Sequence, residues 1–246
     1  MERKRNGEML SLVIPAYNEQ ERLNRSLGRV VGYLRRRGKP FEIVVVDDGS
    51  TDGTAALVEK HASLDGRVRL VCHPENLGKG RAVRTGVYAA RGDYVIFSDA
   101  DLSTPIETAD EFMVHLTNGS DVVVGNRRMG ESRLERRQPP IREFLGRVFT
   151  RMTRFLLRSP VSDQTCGFKG FKRRAAIETF SRQRVFDWSF DAEILHIAAL
   201  RGLRVTQVPV TWRDEPGSKV NVLSACVLSL IGLIKVWRNG LTGRYN

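Results

Sequence analysis

The sequence predicts an α/β fold: a mostly parallel, Rossmann-like sheet flanked by helices on both faces. Three observations carry this. Short apolar runs of strand length alternate with longer amphipathic stretches from Met9 to Val124. Two of the runs, Phe41 to Val46 and Tyr94 to Phe97, end in acidic clusters, Asp47-Asp48-Gly49-Ser50 and Ser98-Asp99-Ala100-Asp101. The alternation then stops after Asn126, where the chain changes character. Ligands of open α/β sheets bind outside the carboxyl ends of the strands, so two acidic strand ends imply one shared site suited to a nucleotide and a divalent metal.

Each element has its own signal. Met9 to Ile14 reads as a buried strand, Glu19 to Arg37 as a helix, Phe41 to Val46 as a strand and Thr54 to Ser63 as a helix. The strand Val68 to Cys72, the helix Lys79 to Arg91, the strand Tyr94 to Phe97, the helix Ile106 to Asn118 and the strand Asp121 to Val124 follow. After Asn126 come a charged, proline-containing segment, an arginine-rich helix from about Arg142 and a loop from Ser162 to Gly170. A helix from Ser189 to Leu200, a strand from Val205 to Val210 and an apolar stretch from Val220 to Ile234 complete the chain. That stretch is uncharged for 15 residues, short of the roughly 20 that span a bilayer, so an interfacial or core-packed helix is expected.

Composition limits the partners. At 246 residues and 41% hydrophobic content, with no linker-like stretch or internal repeat, the chain can bury one full core and is read as a single unit, 1–246. The three cysteines, Cys72, Cys166 and Cys226, lack CxxC spacing, which indicates neither a disulfide framework nor a zinc site. The amino terminus enters its first strand without the apolar region of an export signal, which points to the cytoplasm. The net charge of +12 is regional: 16 Lys/Arg stand against 5 Asp/Glu between Asn126 and Arg184, while the rest of the chain is balanced. A nucleic acid, an anionic membrane or a phosphorylated substrate would each suit such a patch.

The acidic strand ends carry the chemistry. In Asp99-Ala100-Asp101 one carboxylate can take a divalent metal while the other holds a sugar hydroxyl or the metal's water shell. A solvated turn capping the next helix through Ser103 or Thr104 is the alternative. In the Asp47 to Thr54 segment, Asp52 can cap the following helix while Asp48 faces a ligand. Within the basic region, Arg147, Arg151, Arg154 and Arg158 share one helical face, and Leu145, Val148, Phe149, Met152, Phe155 and Leu156 form the opposite stripe. That pattern fits a helix lying on an anionic membrane surface, or an ordinary helix packed on the core. The histidines His61, His73, His115 and His196 have no ligand spacing and read as structural or solvated.

These residues carry a resemblance. Ile14-Pro15-Ala16-Tyr17-Asn18-Glu19, the Asp47-Asp48-Gly49-Ser50 edge, Asn76-Leu77-Gly78-Lys79-Gly80 and Asp99-Ala100-Asp101 resemble the ordered motifs of family 2 glycosyltransferases of GT-A fold. Asp163 to Lys169, Trp188 to Glu193 and Gly217-Ser218-Lys219-Val220 narrow the likeness to dolichyl-phosphate β-glucosyltransferases, and more loosely to dolichyl-phosphate mannosyltransferases. The resemblance implies a nucleotide-sugar-binding half (1–125), an acceptor-binding half (126–221) and a C-terminal apolar helix and tail (222–246).

The activity implied is inverting transfer of a hexose, most simply glucose from UDP-glucose, to a polyprenyl phosphate, with Mg²⁺ or Mn²⁺ as cofactor. A GDP-mannose donor, a small phosphorylated acceptor, and a non-catalytic basic module for membrane or nucleic acid are the alternatives, with nucleic acid not expected as a partner. Asp99 and Asp101 would hold the metal. Pro15, Ala16, Tyr17, Glu19, Asp48, Gly49, Lys79 and Ala100 would line the nucleotide sugar, and Ser218 and Lys219 would close over the diphosphate. Arg127, Arg137 and Arg142 would bind the acceptor phosphate, with Arg127, Asp163 and Asp191 joining the aspartates in catalysis. Peripheral attachment to the cytoplasmic face of an anionic membrane is expected.

Overall fold

The computed structural model describes residues 8–136, 140–213 and 222–246. In chain order the elements are β1 (Leu10–Ala16), α1 (Gln20–Arg36), β2 (Phe41–Asp47), α2 (Thr54–Leu64), β3 (Val68–Cys72), α3 (Lys79–Ala89), β4 (Tyr94–Phe97) and α4 (Thr108–Thr117). There follow β5 (Val122–Asn126), β6 (Arg133–Arg136), α5 (Pro140–Leu157), β7 (Lys169–Lys172), α6 (Arg173–Ser181), α7 (Phe190–Leu200), β8 (Val205–Pro209), β9 (Thr211–Arg213) and α8 (Val222–Leu241).

Seven strands form one sheet in the order β3-β2-β1-β4-β7-β5-β8. Only β7 runs antiparallel, between β4 and β5. The period of two along each strand sends alternate side chains to opposite faces. Leu12, Ile14, Ile43, Val45 and Ile96 join the layer of α1 and α4, whereas Val13, Val44, Val46, Val95 and Phe97 join that of α3, α6 and α7. Fully burying each such side chain contributes about 1.5–3 kcal/mol, so the strands are specified by having two apolar faces. A smaller cluster of Leu157, Val185, Ala192, Leu233 and Val236 joins α5, α7 and α8.

Strand order reverses at β1, whose neighbours are β2 and β4, and such a switch point opens a crevice at the carboxyl ends of the strands. The reversed direction of β7 has a second effect: its start, and so the preceding loop 162–168, lies at that same edge. The end of β5 lies there too.

Several elements differ from the sequence reading. The expected strand Val205 to Val210 is β8, one residue shorter, and beyond it an unexpected strand, β9, pairs with β6 in a separate ribbon. The loop expected through Gly170 ends at Phe168, because β7 starts at Lys169. The helix α6 lies in a stretch with no expected element. The C-terminal helix continues past the apolar stretch to Leu241. Ser103 and Thr104 do not cap α4, which starts at Thr108. Arg158 stands just beyond α5 with φ +48, off the helical face assigned to it.

Candidate active site

The turn after β4 is held from three sides. The Ser26 hydroxyl of α1 donates to the Ala100 carbonyl at 2.9 Å, the Ser103 amide donates to Asp101 Oδ1 at 2.9 Å, and Leu102 adopts φ +53. Burial, then the neighbouring Asp99, raises the Asp101 carboxyl above its ordinary value. Two neighbouring carboxylates in a partly buried turn suit a hard divalent cation. Among the described residues no group of three or more His, Cys, Asp or Glu side chains could enclose a metal alone. The donor set therefore fits a cation completed by ligand oxygens better than a resident structural ion. Beside Asp101 lies a cavity of about 340 Å³ with Arg22, Arg25, Arg29 and Arg213 on its walls.

The neighbouring strand ends are tied together. Asn18 accepts the Thr51 amide at 2.8 Å and donates its own amide to Ser50 Oγ at 2.8 Å. Glu19 N–H reaches Thr54 Oγ1 at 3.0 Å. This fixes Pro15, Ala16 and Tyr17 beside the acidic edge of β2. Asp48 is engaged by the protein itself: its oxygens accept the Leu77 amide at 3.0 Å and the Gly78 amide at 2.9 Å, and Oδ1 meets His73 Nδ1 at 2.6 Å. Asp47 Oδ1, by contrast, is buried without a hydrogen-bond partner among the described residues. Gly49 has φ +73, and a Cβ there would lie 2.4 Å from the Glu75 carbonyl carbon, so glycine is required where the two loops touch.

By clamping the loop 76–78, Asp48 positions Lys79 at the start of α3. The Lys79 ammonium lies 2.6 Å from Asp99 Oδ1, and it is a quarter exposed. Burial lowers its pKa, but Asp99, Asp191 and Asp101 outweigh this and raise it. Asp52 accepts the Thr54 amide at 3.0 Å, at the start of α2 as its sequence position suggests.

The second half of the chain closes the site. Gly167 lies so close to Asp99 that a Cβ would fall 2.0 Å from Oδ2. From the same loop, Asp163, fully buried, accepts Arg127 N at 3.0 Å, Nε at 2.7 Å and Nη2 at 2.7 Å. Nη2 also reaches Thr165 Oγ1 at 2.9 Å, and the guanidinium lies 5.3 Å from the Trp212 ring centre. Burial raises the Asp163 carboxyl, but Arg127 outweighs it and brings the group down to about 2. Asp191, on the first turn of α7, accepts Lys169 Nζ at 2.5 Å, and that fully buried ammonium also reaches the Cys166 carbonyl at 2.6 Å.

The structure thus gathers Pro15, Ala16, Tyr17, Glu19, Asp48, Gly49, Lys79, Asp99, Ala100, Asp101, Arg127, Asp163 and Asp191 at one sheet edge. Arg137, Ser218 and Lys219 lie outside the described residues, and Arg142 is described only by its backbone on α5. Sequence reasoning missed Asp47, Lys169, Thr165 and Arg128, whose guanidinium donates to the Ser162 and Gly146 carbonyls. Charged residues at an otherwise apolar strand, as in Lys169-Gly170-Phe171-Lys172, were the available signal for Lys169.

An acidic turn at the switch point of such a sheet, faced by a lysine and an arginine-bearing second half, defines a GT-A glycosyltransferase. The chain belongs to glycosyl transferase family 2, whose model matches residues 11–180. It is 37% identical over 236 residues to the dolichyl-phosphate beta-glucosyltransferase ALG5C of Trichomonas vaginalis, covering 92% of this chain and 70% of that protein. To the human dolichyl-phosphate beta-glucosyltransferase it is 33% identical, covering 87% and 70%. Among solved structures, glucosyl-3-phosphoglycerate synthase of Mycobacterium tuberculosis bound to UDP superposes with TM-score 0.71 at 21% identity, over 94% of this chain and 81% of that one. The mannosyltransferase PcManGT of Pyrobaculum calidifontis, with GDP-Man and Mn²⁺, gives TM-score 0.65 at 19% identity, over 97% and 65%.

Proposed function

We propose that this enzyme transfers glucose from UDP-glucose to the phosphate of a polyprenyl lipid, inverting the anomeric centre, at the cytoplasmic face of a membrane. The observation that carries the mechanism is the contact of the loop 162–168 with both Asp99 and Arg127, which joins a cation-binding turn to a phosphate-binding guanidinium. The relatives named dolichyl-phosphate beta-glucosyltransferase support the sugar and the lipid.

Asp99 and Asp101 would hold Mg²⁺ or Mn²⁺, which when bound neutralises the departing diphosphate. Pro15, Ala16, Tyr17 and Glu19 line the base and ribose, and the unpartnered oxygen of Asp47 is suited to accept an imino N–H. Arg127 keeps Nη1 free of any partner among the described residues, so it can donate to the acceptor phosphate while Asp163 fixes its plane. The acceptor needs no strong base, since a phosphate monoester has a second pKa of about 6. In keeping with this, Arg127 holds the Asp163 carboxyl well below its ordinary value, and Asp191 is paired with the buried Lys169. Catalysis then rests on positioning and charge stabilisation.

Membrane delivery falls to α5. Phe149, Leu156 and Leu157 pack inward, while Phe144, Val148, Met152 and Phe155 form an outward stripe in which Phe155 is 83% exposed. Arg147, Arg151 and Arg154 flank the stripe. The adjoining α8 exposes Leu230, Ile231, Ile234 and Trp237. Apolar side chains rimmed by guanidinium suit an anionic bilayer surface. Among the described residues no helix is long and apolar enough to cross a membrane.

The test is to incubate purified protein with labelled UDP-glucose or GDP-mannose, Mg²⁺ or Mn²⁺, and polyprenyl phosphate, then count label extracted into organic solvent. Chelation and Asp101→Ala should each abolish transfer from UDP-glucose. Lipid labelling from GDP-mannose alone would overturn the donor, and transfer only to a water-soluble phosphorylated acceptor would overturn the lipid.

A further inference from the structure

Lys79 has a fixed root and a single short reach. Its backbone follows Gly78, at φ +92, and the Leu77 and Gly78 amides are held by Asp48. On the other side, a Cβ at Gly80 would lie 2.7 Å from Phe190 Cβ, so the first turn of α3 is packed hard against the start of α7. From this root the ammonium sits 2.6 Å from Asp99 Oδ1 and 6.0 Å from the Phe190 ring centre. The negative charge of Asp191 also acts on it, with Oδ1 already occupied by Lys169. A cation is therefore built into the chain at one of the two carboxylates that would hold the metal.

We propose that Lys79 is a tethered counter-ion that competes with the divalent cation for Asp99, so that the cation binds weakly until the donor's diphosphate draws Lys79 away. This rests on the metal-dependent reading above. Two cations on one carboxylate repel at this range, and with both side chains only a quarter to a third exposed, solvent screens the repulsion incompletely. A diphosphate offers the ammonium a second anion within reach of the same root. Its arrival then releases Asp99 to the metal, and by linkage the metal tightens donor binding by the same factor. The lysine thus makes metal and donor arrive together.

The test is a Mn²⁺ titration followed by the electron paramagnetic resonance signal of free Mn²⁺, with and without UDP, on the wild-type protein, Lys79→Met and Lys79→Arg. Lys79→Gln is the second neutral variant should the methionine protein not fold. The neutral variant should bind Mn²⁺ about tenfold more tightly without UDP, and its enhancement by UDP should shrink by a similar factor. Lys79→Arg, which keeps the charge, should behave as wild type. Unchanged or weaker Mn²⁺ binding by the neutral variant, with UDP still recruiting Mn²⁺ to the wild type, overturns the competition alone. No Mn²⁺ binding by wild type or variant even with UDP removes the metal reading and the competition with it.

Discussion

Removal of the Asp163 carboxylate should be among the most damaging single changes outside the apolar core. In Asp163→Asn the largely buried Arg127 loses the negative charge of its fully buried partner, yet the guanidinium stays beneath Trp212 with only neutral acceptors, Thr165 Oγ1 at 2.9 Å among them. Breaking a buried pair by removing one partner costs about 3–5 kcal/mol. At a urea slope of about 3 kcal/mol per molar, expected for a chain of this size, the unfolding midpoint should fall by about 1 M or more. The pH dependence gives an independent check. The carboxyl lies at about 2, below its ordinary 3.8. It therefore contributes stability above about pH 4, worth about 2 kcal/mol from the shift alone, and loses it as pH falls towards 2. Urea melts followed by far-ultraviolet circular dichroism at pH 7 and pH 3.5 should show the gap between wild type and variant narrowing in acid. Replacing both partners, as in Arg127→Met with Asp163→Leu, should recover much of the stability and none of the transfer activity. A loss below about 1 kcal/mol at pH 7 would refute the reasoning, since the pair would then be no better than an exposed one.

Three further outcomes follow from single contacts. Gly167→Ala places a methyl 2.0 Å from Asp99 Oδ2, so Asp99 must move; transfer should fall by at least about tenfold, as misplacement of a positioning group allows, with little change in melting temperature. Phe155→Ser with Phe144→Ser removes exposed apolar area only, so unfolding should stay within about 0.5 kcal/mol of wild type while sedimentation with anionic vesicles drops. Glu193 is buried, and its carboxyl, raised by burial to about 7, accepts the Tyr245 hydroxyl at 2.6 Å and the Arg184 and Val185 amides. Being raised in the folded state, it supports stability below about pH 4.5 and loses that support as pH rises through about 7. Glu193→Gln should flatten this part of a melting-temperature profile.

The parallel half of the molecule was legible because its strands are buried on both faces and its helices on one, which writes two distinct periods into the sequence. The acidic strand ends could be placed at one edge for the same reason. The antiparallel β7 was not legible: its four residues begin and end in lysine, and its identity as a strand comes from lying between β4 and β5. The ribbon of β6 and β9 escaped because β6 is exposed throughout and carries no burial pattern. At Asp47-Asp48 the sequence showed two carboxylates and could not say which one the loop 76–78 would occupy. That depends on amide positions set by the turn at Gly78, 30 residues away from Asp48.

Burial of cations explains why so basic a region serves a site built on aspartates. Asp163 is matched by Arg127, Asp191 by Lys169 and Asp99 by Lys79. Each pairing joins an acid to a base from a different loop or element, so the electrostatic attraction also fixes where the segments meet. With those three matched, Asp101 is left with amide and arginine neighbours and a raised pKa, ready for charge that only a ligand brings. The exposed arginines of α5 are left over from this matching and face outward, where no carboxylate among the described residues meets Arg151 or Arg154. The positive charge of this region thus does two things: inside, Arg127 and Lys169 settle Asp163 and Asp191 into fixed places, as Lys79 from the first half does Asp99; outside, it remains free to meet the anionic surface from which a lipid phosphate would come.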